Sequence, residues 1–329
     1  DIIQLKRVRK IGQNFKKISD DSIQHQQDNK AKSFDLASRV TDKMLTEKYI
    51  SLPAGFVMKG EPKITYTKYV MNQFGIVHFY QCRTGILPRY AVPDGCVDMV
   101  FCCDPHAPGA EICGTVLAPE TVLLRSETCY FGVRFLPGYN PILGVSGVME
   151  SLVNHRIPFD TLIRDERMLE RICSTMDFHQ QIRAFLQSYL SIYHRISPME
   201  NSNRLILHAA NLLMRSSGNI TMDQLAEEIG YTARYIDKCF RSEVGLSPKQ
   251  LAKIFRFQAT VQALNHRSNQ ALTEVAVDLG YYDQSHFIHE FKTFSGMTPK
   301  KYCLLLQNTQ YEKKLKILDH QTYSIEPSP

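Results

Sequence analysis

The stretch LAEEIGY at residues 225–231 decides the fold of the C-terminal part of this chain, because it returns fifty positions later as VAVDLGY at residues 275–281. A duplicated stretch of this kind indicates a repeated supersecondary element, here a helix, a glycine-containing turn and a second helix. With one inserted residue the match continues through Ile236 and Phe287, Phe240 and Phe291, Gly245 and Gly296, and Pro248 and Pro299.

The first copy has the features of a helix-turn-helix unit. Gly230 stands where the leading helix must stop, a place that favours positive φ, and Thr232 is a good N-cap for the next helix. On that second helix the apolar residues Ile236, Cys239 and Phe240 follow helical spacing and predict a buried face. The opposite face presents Arg234, Asp237, Lys238 and Arg241.

The second copy repeats this arrangement. Asp283 is the expected N-cap, and Phe287, Phe291 and Phe294 are expected to face inward. His286 borders both faces of this helix. The side chains expected to point outward are Gln284, Ser285, His289 and Lys292.

One long helix is predicted between the two copies, from Pro248 to about His266. A rigid connecting helix would hold two reading helices at the spacing of successive major-groove turns, about 34 Å. Residues 219–303 contain ten Lys and Arg against nine Asp and Glu. Binding of DNA by this region would therefore depend on the local placement of charge, not on a general positive field.

Residues 203–305 resemble the DNA-binding domain of the AraC family of bacterial transcription regulators, on the segments GYTARYIDKCFRSEVGLSPKQL and GYYDQSHFIHEFKTFSGMTPKKY. The resemblance implies that the second helix of each unit reads bases, with Arg234, Asp237 and Lys238 in the first unit and Gln284, Ser285 and His289 in the second. His289 departs from the arginine often found at its position. Lys249 and Lys300 follow a proline at a helix start and suit phosphate contacts. The full set of expected DNA-binding residues is Thr232, Arg234, Tyr235, Asp237, Lys238, Arg241, Lys249, Gln284, Ser285, His286, His289, Lys292 and Lys300.

Residues 49–165 differ from the C-terminal region in their residue pattern. Short β-branched and aromatic runs are separated by Gly and Pro, such as CVDMVFCC, GTVLAPE and CYFGVRFLPG. Strands at this spacing predict a small sandwich or barrel. The segments PRYAVPDGCVDMVF and YFGVRFLPG resemble the β-rich sensory domain of one AraC subgroup, which implies a cupin-like barrel that receives a signal.

Three charged residues stand among the apolar strands of this region. Asp94, before Gly95, is most simply part of a turn. Asp98 and Arg134 are expected to pair, because a buried charge needs a partner; such a pair is either structural or leaves Arg134 to receive an acidic effector. The residues expected to line an effector site are His78, Tyr80, Tyr90, Asp98, Tyr130 and Arg134.

Composition narrows the class of protein. The nine cysteines include no CxxC pair, so a zinc ribbon or disulfide framework is not expected, whereas a redox or metal sensor built on Cys102 and Cys103 stays open. The net charge of +6 permits contact with a polyanion. No stretch reaches the length of a membrane span, and the first residues do not resemble a secretory signal.

We therefore expect an α+β chain: a polar basic extension at 1–48, a small cupin-like β-barrel sensory domain at 49–165, a helical coupling or dimerisation segment and linker at 166–202, an all-α domain with two helix-turn-helix units at 203–305, and a tail at 306–329. The predicted function is that of a sequence-specific DNA-binding transcription regulator whose N-terminal domain senses a small-molecule signal, located at the nucleoid in the bacterial cytoplasm. The expected partners are double-stranded DNA, a small effector, a second copy of the chain and RNA polymerase, with no metal, cofactor, membrane contact or catalytic residue. The alternatives are a cysteine-based alkyl-acceptor enzyme fused to such a domain, and a regulator whose front domain only dimerises.

Overall fold

The computed structural model describes residues 65–83, 89–122, 124–142, 147–163, 165–196, 201–266, 271–307 and 315–318. The expected N-terminal extension and most of the expected tail lie outside these residues. The strands are β1 Thr65–Gln73, β2 Ile76–Arg83, β3 Arg89–Ala91, β4 Val97–Cys102, β5 Gly109–Cys113, β6 Glu120–Val122, β7 Cys129–Phe135, β8 Arg156–Pro158 and β9 Leu315–Leu318. The helices are α1 Val148–Leu152, α2 Phe159–Leu162, α3 Glu166–Cys173, α4 Phe178–Ile196, α5 Asn201–Arg215, α6 Met222–Ile229, α7 Ala233–Glu243, α8 Pro248–His266, α9 Leu272–Asp278, α10 Gln284–Ser295 and α11 Pro299–Gln307.

The N-terminal region is built on a sheet in the order β8-β5-β4-β7-β2-β1-β9, and β3 and β6 form a separate two-stranded ribbon. The central pairs are antiparallel; β9 joins β1 in parallel.

This sheet is open, so the expectation of a closed cupin-like barrel is wrong for the part of the chain that the structure describes. Barrel closure requires the two edge strands to pair, whereas β8 and β9 lie at opposite edges. Helices α3 and α4 pack against one face of the sheet and bury it without closure. The coarser expectation, a β-rich N-terminal region followed by a helical C-terminal region, is confirmed.

The two faces of the sheet have different roles, as the alternation in β7 predicts. Phe131, Val133 and Phe135 are fully buried and pack with Phe185 of α4 into an aromatic core. Tyr130, Gly132 and Arg134 point to the other face, because successive strand residues alternate. That second face carries the charged residues Asp98 and Arg134, which lie opposite each other on β4 and β7.

The run GTVLAPE (114–120), expected as a strand, is mostly a loop. The preceding strand β5 ends at Cys113, and only Glu120 begins β6. Side-chain hydrogen bonds stabilise this loop in place of the backbone hydrogen bonds of a sheet. The hydroxyl of Thr115 accepts a hydrogen bond from the Gly95 backbone, and Asn154 accepts one from the Leu117 backbone. A β-branched run predicts a strand only where a neighbouring strand is available to pair with it.

The C-terminal region is helical from α5 to α11, and the expected long helix is confirmed with the bounds Pro248–His266. Thr232 caps α7 by accepting from the Tyr235 backbone at 3.3 Å, and Asp283 caps α10 by accepting from the His286 backbone at 2.7 Å. Gly230 ends α6 with φ +75°, as expected. Short-range rules therefore account for most of the element boundaries here.

Candidate functional site

The second helix of the first unit, α7, has one buried face and one solvent-exposed face. Ile236 and Phe240 are fully buried, whereas Arg234, Tyr235 and Lys238 are exposed. Because the donor-bearing side chains of Arg234 and Lys238 meet solvent and not protein, this face is free to approach a nucleic acid.

Asp237 is already paired on this face. Its Oδ2 accepts a hydrogen bond from Nε of Arg241 at 2.8 Å, one turn further along α7. The bond raises the pKa of Arg241. If Asp237 were to accept a hydrogen bond from a cytosine, it would therefore have to break its hydrogen bond with Arg241 or accept both.

The second helix of the second unit, α10, exposes Gln284, Ser285, His289 and Lys292. His286 is half-buried: its Nε2 lies 3.6 Å from Oε2 of Glu290, and its ring contacts the Tyr281 ring at a centroid distance of 5.6 Å. His286 thus stands at the border of the two faces and is directed toward the interior cluster described next.

That interior cluster joins α8 to α10 and was not anticipated from the sequence. Arg256 donates from Nε and Nη2 to the two carboxylate oxygens of Glu290, at 2.9 and 2.8 Å. Its guanidinium lies 4.7 Å from the centre of the Tyr281 ring, and the Tyr281 hydroxyl contacts Oγ1 of Thr260 at 3.0 Å. Burial raises the pKa of Tyr281 to about 12. The cluster fixes the second unit on the connecting helix.

Lys249 and Lys300 are both exposed at the first turns of α8 and α11. Ser247 caps the first of these helices by accepting from the Gln250 backbone at 3.2 Å, and Thr298 accepts from the Lys301 backbone at 3.3 Å. The structure therefore presents each lysine at a helix N-terminus, where an anion is favoured.

Exposed tyrosines accompany these helices. Tyr231 and Tyr235 stack at a centroid distance of 5.2 Å and are each about half exposed, and Tyr282 is 93% exposed. Tyr231 and Tyr282 were not among the expected site residues. Tyr231 directly follows the turn glycine Gly230, and Tyr282 lies two residues after the turn glycine Gly280. Position just after the turn glycine is the sequence signal that could have identified them.

In the N-terminal region a cavity of about 270 Å³ lies between the polar face of the sheet and the β3–β6 ribbon. Four of the residues predicted to line an effector site, Tyr80, Asp98, Tyr130 and Arg134, line this cavity. Tyr90 pairs with Thr121 in the ribbon, but its side chain lies outside the described part of the structure.

His78 is not among the residues that line this cavity. It is buried, and its Nδ1 has no hydrogen-bond partner. Burial, together with the nearby charges of Lys68 and Arg134, holds the pKa of His78 well below its usual value. His78 is therefore neutral near pH 7, and it lies opposite Arg134 on the neighbouring strand, outside the cavity lining.

The expected Asp98–Arg134 pair is present and is part of a larger cluster. Arg134 donates from Nε and Nη2 to the two oxygens of Asp98, at 2.8 and 2.7 Å, and its Nη1 lies 2.8 Å from Oδ2 of Asp94. Asp94 also forms the expected turn, since its Oδ1 accepts from the Cys96 backbone at 2.9 Å. Burial raises the pKa of Asp94 although Arg134 opposes this shift.

Within the described ranges no group of three or more His, Cys, Asp or Glu side chains is arranged to hold a metal ion. None of the helices in the described part is both long enough and apolar enough to span a bilayer.

The comparisons with known proteins agree on the C-terminal region. A family described as a helix-turn-helix domain matches residues 225–303. Residues 225–303 form an AraC-type helix-turn-helix domain.

The relatives of this AraC-type domain include proteins named as HTH-type transcriptional regulators and an invasion protein. The chain is 32% identical over 95 residues to the uncharacterized HTH-type transcriptional regulator YobQ of Bacillus subtilis. The matched segment covers 29% of this chain and 37% of that protein. It is 29% identical over 97 residues to the invasion protein InvF of Salmonella typhimurium. The matched segment covers 29% of this chain and 44% of that protein. The chain spans only 11 to 44% of the length of the curated relatives it matches.

Two solved structures are also similar. A DNA-binding transcriptional dual regulator from Escherichia coli K-12 has 24% identity and a TM-score of 0.30, covering 34% of this chain and 98% of that one. ToxT from Vibrio cholerae, bound to an unsaturated fatty acid, has 12% identity and a TM-score of 0.36, covering 77% of this chain and 99% of that one.

The AraC-type domain contacts the wall of the cavity directly. Nε2 of Gln258 on α8 lies 2.5 Å from the Pro93 carbonyl, in the loop that leads to Asp94. Leu251 of α8 packs so closely on Gly95, which has φ +76°, that a Cβ there would lie 2.8 Å from its Cδ1. The loop that holds Asp94 therefore rests on the helix that joins the two units.

A second contact links α1 to the end of α7. The Gly147 backbone donates to the Ser242 carbonyl at 3.2 Å, and Nδ2 of Asn140 lies 3.4 Å from Oε2 of Glu243. Gly245, with φ +78°, leaves no room for a side chain, because a Cβ would lie 2.4 Å from the Met149 carbonyl oxygen. Helix α7 thus ends against the N-terminal region.

Proposed function

We propose that this protein is a sequence-specific DNA-binding transcription regulator whose N-terminal region senses a small molecule. The observation that carries the proposal is the pair of solvent-exposed polar faces on α7 and α10, each backed by a buried face in an AraC-type domain. Arg234, Lys238 and Gln284 have the donors that suit guanine and adenine edges. Phosphate contacts would set the register, and these side chains the sequence.

The proposal includes a second copy of the chain, RNA polymerase as a further partner, and a place at the nucleoid in the bacterial cytoplasm. These parts rest on analogy with the family. The separation of the two reading helices by one duplex turn also belongs to the proposal.

The salt dependence of binding tests the DNA contact. With about six phosphate contacts, the slope of log affinity against log salt is expected to be about −5. The probe is a duplex isolated from a randomised library by repeated binding to the full chain. Replacing both Lys249 and Lys300 by alanine should reduce the magnitude of the slope by about two, because each lysine releases about one counterion.

Arg167→Ala is the matched control, because Arg167 is an exposed cation on α3, outside the AraC-type domain. A slope near zero for the unaltered chain, or equal slopes for all three proteins, would contradict the proposed contacts.

The cavity supports the sensing part of the proposal. It has the volume for a small molecule and mixes tyrosine, carboxylate and apolar side chains. Arg134 is already matched by two carboxylates, so an anionic effector would have to displace one of them. The contacts of Pro93 and Gly95, on either side of Asp94, with α8 supply a route by which occupancy would bias the DNA-binding domain.

Thermal-shift screening of neutral and cationic metabolites tests this part. A ligand that binds only the folded chain raises the melting temperature, by mass action equivalent to about 3 kcal/mol at one hundred times its Kd. Val100→Phe, which adds a ring to the cavity wall, should abolish the shift. Val277→Phe, at a 75% exposed position on α9, should preserve it. If no compound shifts the unaltered chain, or if both variants respond alike, the front region does not sense through this cavity and the dimerisation-only alternative is favoured.

A further inference from the structure

The two helix-turn-helix units differ by one inserted residue in the turn. In each unit the tyrosine that follows the turn glycine donates its backbone N–H to the helix before the turn. Tyr231 donates to the Ala226 carbonyl at 3.3 Å, and Tyr281 donates to the Ala276 carbonyl at 3.0 Å. These two tyrosines therefore occupy equivalent places in the two turns. The second unit then adds Tyr282 before its second helix begins, and the first unit has no counterpart of that residue.

The two equivalent tyrosines have different surroundings. Tyr281 is buried in the interior cluster, where its hydroxyl contacts Oγ1 of Thr260 at 3.0 Å and the Arg256 guanidinium lies over its ring. Tyr231 is instead half exposed and stacks on the ring of Tyr235, one turn further along the chain. Tyr281 is therefore committed to holding the second unit on α8, and its hydroxyl faces protein.

The inserted residue gives the second unit an exposed tyrosine of its own. Tyr231 directly precedes Thr232, the N-cap of α7. Tyr282 directly precedes Asp283, the N-cap of α10, and its side chain is 93% exposed. The second helix of each unit therefore begins directly after a solvent-facing tyrosine, although different members of the repeat supply it.

Both tyrosines lie at the start of the surface that we propose for DNA. Arg234 is exposed three residues after Tyr231, and Gln284 is exposed two residues after Tyr282. In a helix-turn-helix protein the N-terminal residues of the second helix contact base edges in the major groove. The residue before the N-cap, where the chain turns away from the groove, is therefore expected to lie beside the sugar–phosphate backbone. Tyrosine is one of the side chains that hydrogen-bond phosphate oxygens there.

We propose that Tyr231 and Tyr282 are positioning residues for duplex DNA, each donating a hydrogen bond from its phenolic hydroxyl to a phosphate oxygen at the edge of the groove that the following helix enters. The insertion of Tyr282 then gives the second unit the backbone contact that Tyr281 cannot make from the interior. This inference rests on the proposed function, since it concerns the same DNA surface.

Removal of the hydroxyl alone tests the contact. Tyr282→Phe and Tyr231→Phe are each expected to weaken binding to the selected duplex about tenfold, or about 1.4 kcal/mol, because a hydrogen bond to a charged phosphate is lost. The slope of log affinity against log salt should stay that of the unaltered chain, because a neutral hydroxyl releases no counterion. The melting temperatures should also stay unchanged, since both side chains lie at the surface and Tyr231→Phe keeps the ring that stacks on Tyr235.

A change on the DNA side identifies the phosphate. Duplexes that carry one neutral methylphosphonate linkage at successive positions are titrated with the unaltered full chain and with Tyr282→Phe. At one linkage the substitution should weaken the unaltered chain but cause little further loss in the variant, because the two changes remove the same hydrogen bond. Tyr281→Phe is the matched control, the same change one residue away. It should lower the melting temperature, because it removes a buried hydrogen bond, and leave the pattern of sensitive linkages as it is in the unaltered chain.

Full affinity of both phenylalanine variants for a duplex that the unaltered chain binds would overturn this inference and leave the proposed function standing. The hydrogen bond would also be ruled out if Tyr282→Ala weakened binding while Tyr282→Phe did not, since the ring alone would then make the contact. Should the unaltered chain select no duplex from the library, the proposed function fails, and this inference fails with it.

Discussion

Replacing Arg234 and Gln284 together by alanine is expected to weaken binding to the selected duplex by about a thousandfold, or about 4 kcal/mol. Each side chain is exposed on the second helix of its own unit, and a side chain that pairs with a base edge contributes about 1–3 kcal/mol of discrimination. The two losses should add, because the residues lie in different units and share no partner. The measurement is a titration of the labelled duplex at fixed salt.

The matched control is the double variant Arg167→Ala with Gln187→Ala, which removes one exposed arginine and one exposed glutamine from α3 and α4. Its affinity should equal that of the unaltered chain. Each single variant should also relax the preference for one base, a guanine for Arg234→Ala and an adenine for Gln284→Ala. An equal loss of affinity on an unrelated duplex would mean that these residues contact phosphates and do not read bases.

Arg134→Ala is expected to lower the stability of the N-terminal region by about 3 kcal/mol, at the low end of what removal of one partner of a buried ion pair costs. The variant leaves Asp94 and Asp98 without their shared cation in surroundings where their side chains are only 14 and 13% exposed. The melting temperature should fall by about 6–12 °C. Circular dichroism during heating measures this change.

Arg125→Ala is the matched control, because Arg125 pairs with Asp104 at 3.2 Å but is 55% exposed. An exposed pair contributes little, since water already solvates both charges. Combining Arg134→Met with Asp94→Asn and Asp98→Asn should recover most of the loss, as replacing a whole buried ion cluster is often neutral. If Arg134→Ala melted like the unaltered chain, the cluster would not support the fold.

Much of the C-terminal region follows from the sequence because its determinants are local. The caps Thr232 and Asp283, the glycine stop at Gly230 and the bounds of α8 depend on residues within a few positions of one another. The Asp98–Arg134 pair was also predictable, because a charge within an apolar strand requires a partner and few were available.

Other features could not be predicted because they depend on which distant segments meet. The open sheet follows from the positions of its edge strands, and nothing within a strand encodes whether its far edge finds a partner. The same holds for His78, whose alternation matches that of Tyr80 although only Tyr80 lines the cavity. The loop at GTVLAPE shows that β-branched residues follow the available neighbours.

The amino-acid sequence by itself determined the duplicated helical unit, the two faces of the second helix in each unit, and the long helix between the units, because helical periodicity and capping act over one or two turns. Only the tertiary structure decided that Arg256 would pair with Glu290 and that the Asp94 loop would rest on α8. Those contacts join residues separated by 34 and 165 positions. Their formation depends on how whole elements pack to bury apolar surface, which no short pattern of residues specifies.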